Sequence, residues 1–215
     1  MGFGKGNGED RDSKADEGNC ARIHQPELHL LQIGQIEMKE TPYQWFAMRA
    51  TYKREMVAKE YLEGKGIEVF VPMRREVKVM RGIKRKVTVP AINSLIFVYA
   101  QKEALQQAKF GVEYLQYLTR KLDGNNIPII VPSEQMEQFR KVVEDDTIDK
   151  KFFAPGEVNL AAGTKVKVHG GGLDGYEGVL VKMPGRRNKQ FFLELEGVVS
   201  VNPELKNYHL LEVVK

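Results

Sequence analysis

The chain has 215 residues, of which 42% are hydrophobic and 29% charged, with a formal net charge of +4. That is enough for one large domain or two small ones, each with a true core. No apolar run approaches bilayer length. The single cysteine, Cys20, excludes an internal disulfide and any multi-cysteine zinc site, and the histidines His24, His29, His169 and His209 offer no close pair for a metal.

Residues 1–42 open with Gly, Asp, Glu, Lys and Asn and have no apolar segment of the kind a secretory signal needs. They are expected to form a weakly ordered tail, because such a composition buries too little surface to offset the entropy of ordering. The later piece LHLLQIGQIEM is apolar but short and stays unassigned. The expected compartment is the cytoplasm, with no membrane contact.

QWFAMRA (residues 44–50) reads as a buried strand. Thr51 is placed to cap a helix over 53–63, with Val57, Ala58, Tyr61 and Leu62 as its apolar stripe and Gly64 and Gly66 ending it. GIEVFVP gives a second strand, stopped by Pro72. In REVKVMRGIKRKVTVP, Val77, Val79, Val87 and Val89 alternate with charges on either side of Arg81-Gly82. The pattern predicts a hairpin with one apolar face and one strongly basic face. Cations outnumber acids throughout residues 44–109, and a localised excess suggests a polyanionic neighbour.

SLIFVYA (residues 94–100) is apolar throughout, hence a central strand, and residues 102–109 suggest a short helix. EYLQYLTR and IPIIVP are further strand candidates. Ser133 is placed to cap a helix to about Val143, with Met136, Phe139, Arg140 and Val143 on one face. The acidic stretch 145–158, with Pro155-Gly156, reads as a linker. Five short strand patterns follow in residues 159–215, which suggests a small barrel.

Gly170, Gly172 and Gly175 satisfy G-x-G-x-x-G, the spacing of a dinucleotide-binding turn. That fingerprint needs a helix next, whose N-terminus receives the phosphates. Here Tyr176-Glu177-Gly178 leads into the alternating run 179–183, so the glycines are expected to turn the chain between two strands instead.

These residues carry a resemblance. Val166, Val168, Gly170-Gly171-Gly172-Leu173, Gly175, Gly178 and Leu180 are similar to a KOW motif, a small five-stranded SH3-like barrel. Trp45–Ala50, the helix with Glu55, Phe70-Val71-Pro72, the basic hairpin and Ser94–Val98 resemble the NusG N-terminal (NGN) domain in order and spacing. VPAINSLIFV and IPIIVPSEQM are similar to the specialised NusG paralogues of the UpxY type, which act on capsular polysaccharide operons.

The resemblance implies an α+β chain. An NGN domain at 43–144, an antiparallel sheet with flanking helices, precedes the linker and a KOW barrel. It implies a non-enzymatic elongation or antitermination factor whose first domain sits on the clamp of RNA polymerase. The apolar polymerase-binding depression would include Tyr52, Phe70, Ile92 and Leu95. An aromatic-Pro-Gly-Tyr group of general factors is Ile92-Asn93-Ser94-Leu95 here. Arg74, Arg75, Lys78, Arg81, Lys84, Arg85 and Lys86 would meet DNA or nascent RNA near the transcription bubble. Leu173 and Tyr176 would hold a partner such as Rho or a ribosomal protein. No cofactor is implied. The alternative is a KOW-containing RNA- or ribosome-binding module without polymerase contact.

Overall fold

The computed structural model describes residues 41–205 and 209–214. The chain divides into Met1–Lys39 and Glu40–Lys215, and the description concerns the second unit. The expectation of a weakly ordered tail therefore falls almost wholly outside the described residues. No helix among the described residues is long and apolar enough to cross a membrane.

The first sheet is built on β1 (Gln44–Ala50), β2 (Glu68–Phe70), β5 (Leu95–Ala100), β6 (Leu115–Tyr117) and β9 (Ile130–Val131), in the order β2-β5-β1-β6 with β9 also on β1. All its pairings are antiparallel. Both central strands alternate between two buried faces. Trp45, Ala47, Leu95 and Phe97 face one core, and Phe46, Met48, Ile96 and Val98 the other. Two covered faces explain why the run 95–100 is apolar at nearly every position. Helices α1 (Glu55–Glu63) and α2 (Lys102–Lys109) supply Ala58, Leu62 and Leu105 to the second core, and α3 (Ser133–Glu144) supplies Met136, Phe139, Val142 and Val143 to the first.

Two helix starts differ from the sequence reading. Thr51 caps nothing; it lies in a short 3-10 turn, Thr51–Lys53, where Tyr52 and Lys53 adopt φ of 61° and 56°. Its backbone N–H is drawn to the Tyr114 carbonyl at 2.9 Å instead, so α1 starts at Glu55. Val57, expected on the buried stripe, is exposed, whereas Ala58 and Leu62 are buried. Ser133 is the first helical residue of α3 rather than its cap, and makes no capping bond.

Two hairpins extend from this unit: β3 (Met73–Met80) with β4 (Ile83–Pro90), and β7 (Thr119–Leu122) with β8 (Asn125–Pro128). The second turns on Asp123-Gly124, both at positive φ, as a two-residue hairpin requires. IPIIVP is split between β8 and β9. Ile129, between them, accepts from the Ala47 N–H at 3.0 Å and donates to Leu118 at 2.8 Å.

A second sheet has the order β10-β14-β13-β12-β11-β15, all antiparallel: β10 (Lys150–Phe153), β11 (Thr164–His169), β12 (Glu177–Lys182), β13 (Lys189–Leu195), β14 (Val199–Pro203) and β15 (Leu210–Val213). It has six strands rather than five, because residues 150–153, expected within a linker, pair with β14. Phe153 packs edge-on against Phe192, which explains why two aromatics stand in an otherwise polar stretch.

Helix α3 is a wall common to both sheets. One buried cluster runs from Trp45, Phe70 and Phe97 through Met136 and Phe139 to Val166, Val168 and Phe191. Lys150 fixes the end of that wall by donating from Nζ to the carbonyls of Val142 (2.7 Å) and Asp145 (2.5 Å). These are carbonyls a helix C-terminus leaves without intrahelical partners.

Candidate functional site

The β3–β4 hairpin turns on Arg81 and Gly82, at φ of 52° and 78°. This two-residue turn sets the register: Val77 opposes Lys86, Lys78 opposes Arg85, and Val79 opposes Lys84. Directly opposed residues share a face. The expected division into an apolar and a basic face therefore does not form. Odd-numbered valines on β3 lie beside even-numbered lysines on β4, so each face carries both kinds of residue. Arg75, Lys84 and Lys86 line one face; Arg74, Lys78 and Arg85 line the other.

Two of these cations are engaged. Arg74 meets Glu76 at 3.5 Å, and Arg75 meets Asp146 at 2.5 Å. Lys78, Arg81, Lys84, Arg85 and Lys86 are exposed and have no ion pair among the described residues. Lys78 stands directly opposite Arg85, an arrangement that disfavours the hairpin in isolation and that an anionic ligand would relieve. Val77 and Val79 are 57% and 65% exposed, which leaves apolar surface between the cations.

The four residues expected to form an apolar depression do not assemble into one. Phe70 and Leu95 are buried, with half-buried Ile92 packed against the same cluster. Phe70 has its ring 6.4 Å from Phe97 and 6.3 Å from Phe139. They are structural wall, and within this group only Ile92 keeps part of its surface. Tyr52 does not join them. It is 84% exposed, held out by its left-handed backbone, with the Arg54 guanidinium 5.8 Å from its ring and 5.3 Å from that of Tyr114.

Ser94 connects these positions. At φ 64° it gives its carbonyl to the Ala50 N–H at 2.9 Å, and its own N–H donates to the buried carboxylate of Glu55. Glu55 thus ties the start of α1 to the entry of β5.

In the second sheet, Gly170, Gly171 and Gly175 take positive φ, and Gly175 N–H and Val168 N–H close the turn onto Val168 and Tyr176 carbonyls at 2.8 Å. Strand β12 begins at Glu177, so the G-x-G-x-x-G spacing marks a strand-to-strand turn with no helix to receive a phosphate. Leu173, expected to stand out from that turn, is only 1% exposed. Tyr176 packs against the same cluster; burial pushes its phenol above the usual tyrosine range, with Lys141 of α3 opposing and Glu137 and Asp145 adding to the rise. The turn residues therefore lie beside α3, in the apolar cluster shared by the two sheets.

Residues 43–140 match the family model described as "Transcription termination factor nusG". The match takes in the first sheet and the β3–β4 hairpin, ends inside α3, and leaves the second sheet outside it. The solved structure described as "Domain interaction in Thermotoga maritima NusG" is 17% identical over 76% of this chain and 93% of its own, with a TM-score of 0.39. A second, "Crystal Structure of MjSpt4:Spt5 complex conformation B", is 13% identical over 79% and 96%, with a TM-score of 0.25. No curated protein matches the chain.

His169 meets Glu212 at 2.8 Å on an exposed strand, with no nucleophile in the contact. Among the described residues no group of three or more His, Cys, Asp or Glu could hold a metal ion. Three features lay outside the sequence reading. Arg120 of the second hairpin reaches Glu196 at 3.1 Å, Lys150 closes α3, and Pro184-Gly185-Arg186-Arg187 forms a basic turn between β12 and β13. The Asp123-Gly124 and Pro184-Gly185 pairs were the available signals.

Proposed function

We propose that this chain is a non-enzymatic transcription elongation factor of the NusG type. Its first domain binds RNA polymerase, and its β3–β4 hairpin contacts nucleic acid near the transcription bubble. The observation that carries the reading is the match of residues 43–140 to the NusG family model, a stretch that encloses the hairpin and its cations without ion pairs among the described residues. Cations on both faces of a two-stranded ribbon suit a ligand that presents phosphates on two sides. The finer reading is an antitermination factor of the UpxY type acting in a capsular polysaccharide operon, with the second sheet as a KOW domain that recruits Rho or a ribosomal protein.

Polymerase contact through Ile92 and Tyr52 fits their exposure better than contact through Phe70 or Leu95. A partner that uses Leu173 must first draw the turn away from the cluster it shares with α3, since the side chain is buried there. Such a partner would bind the isolated second sheet more tightly than the full chain.

The test has two parts. Core polymerase should retain the full chain in a pull-down, and Ile92→Asp with Tyr52→Asp should weaken retention. Transcription through a terminator in the cognate leader should show more read-through with the protein present. Absence of polymerase binding would refute the proposal. The hairpin's charge would equally serve a ribosome-binding module, and ribosome co-sedimentation that persists after polymerase is removed would favour that second reading.

A further inference from the structure

We propose that the β12–β13 turn and the neighbouring β10 form a second contact surface for a nucleic-acid backbone, continuous with the hairpin. It rests on the reading of the hairpin as a nucleic-acid contact. The turn is built rather than loose. Pro184 and Gly185 occupy its central positions, Gly185 takes φ 71°, and Arg186 N–H closes onto the Met183 carbonyl at 3.2 Å. This is the geometry of a type II turn, with proline at the second position and glycine at the third. Lys182 donates from Nζ to the Arg187 carbonyl across the same loop. Arg186, Arg187 and Lys189 are therefore presented from a constrained backbone, with less ordering needed when an anion binds.

These three side chains and Lys151 of β10 are exposed and have no ion pair among the described residues. Lys151, Arg186 and Lys189 line one cleft, along with the amides of Asn188 and Gln190. Asp149 and Glu204 are its acids. No exposed aromatic ring lines it, so its chemistry suits phosphates and sugars rather than stacked bases.

Continuity gives the second, independent observation. A neighbouring cleft is lined by Arg74, Arg75 and Thr88 at the hairpin root, and the two clefts share Asp149 and Lys150 as walls. Arg75 pairs with Asp146, an acid of the hairpin-side cleft, which leaves Glu144 and the shared Asp149 as the other acids there. A strand that leaves the hairpin can thus follow cations onto the second sheet. The shared ligand chemistry is a phosphodiester backbone, whether of RNA or DNA.

The experiment titrates full-length protein against fluorescein-labelled single-stranded RNA, single-stranded DNA and duplex DNA of ~20 nucleotides, by anisotropy at several salt concentrations. Arg186→Gln/Arg187→Gln/Lys189→Gln should weaken binding to at least one of them about tenfold. Three lost phosphate contacts on a single strand should also reduce the slope of log affinity against log salt by about 2. Arg186→Lys/Arg187→Lys should keep most of the affinity, and an unchanged thermal midpoint should accompany both variants. The hairpin variant Lys84→Gln/Arg85→Gln/Lys86→Gln is titrated in parallel. If it loses binding while the turn variant keeps wild-type affinity and slope, the second surface is refuted and the hairpin reading stands. Loss with both variants would support the continuous surface, whereas loss with the turn variant alone would refute the hairpin contact and, with it, the continuity proposed here. No binding by the wild-type protein to any probe would overturn both.

Discussion

Glu55 is the most direct place to test how this domain holds its candidate docking surface. The residue is only 2% exposed, and its carboxylate accepts from the Ser94 backbone N–H. It also stands in the first turn of α1, where the helix dipole favours a negative charge. Glu55→Ala leaves the Ser94 donor without its acceptor, which costs about 1–3 kcal/mol, and forfeits a charge-assisted bond of similar size. Allowing for overlap between these effects, the loss should be about 3 kcal/mol, a fall of roughly 6–12 °C in thermal midpoint for a chain of this length. Glu55→Gln keeps a carbonyl acceptor in the same place and should lose only about 1 kcal/mol, since a neutral bond is roughly half as strong. Urea denaturation followed by tryptophan fluorescence would measure both, because Trp45 lies within the first sheet. A loss below about 0.5 kcal/mol for Glu55→Ala, or equal losses for the two variants, would refute the reasoning. Because Ser94 lies between Ile92 and Leu95, the polymerase contact proposed above should be weakened by Glu55→Ala, which frees the Ser94 N–H, and largely kept by Glu55→Gln.

Gly178→Ala should destabilise the second sheet by about 1–3 kcal/mol or more, because a Cβ there would sit 2.4 Å from the Phe192 carbonyl oxygen and 2.5 Å from the Phe191 ring; chemical denaturation with no change would sink this packing account. Gly175→Ala meets nothing within 4 Å but must hold φ 81°, and should lose only about 1–2 kcal/mol by the same measurement. Arg140 lies 5.6 Å from the Trp45 ring centre and 5.4 Å from that of Phe70 while bridging to Glu68 at 2.8 Å, so Arg140→Ala should lose about 1–2 kcal/mol and Arg140→Lys should recover little of it. Asp145 is held below the usual aspartate range by the Thr147 hydroxyl and then by the Thr147 N–H. Its contribution is complete above the unfolded value of about 3.9 and is lost as pH falls through the lower folded one. Thr147→Val should therefore narrow the gap between urea midpoints at pH 7 and pH 3, and an unchanged gap would contradict the assignment.

The sequence by itself determined the local elements. Alternation and apolar runs located β1, β5 and the hairpin, and the glycine-rich stretch read as a strand turn because no helical pattern followed it. Periodicity records burial along a single element, so these features were legible wherever one neighbour sufficed to explain them. The tertiary structure decided which elements meet. The hairpin's mixed faces come from a two-residue turn that offsets two alternating strands, a register neither strand encodes alone. Residues 150–153 looked like linker until β14 supplied a partner, and Leu173 looked like an exposed turn residue until it joined the cluster shared with α3. Burial of a short segment depends on what packs across from it, and for these segments the partner lies tens of residues away in the chain.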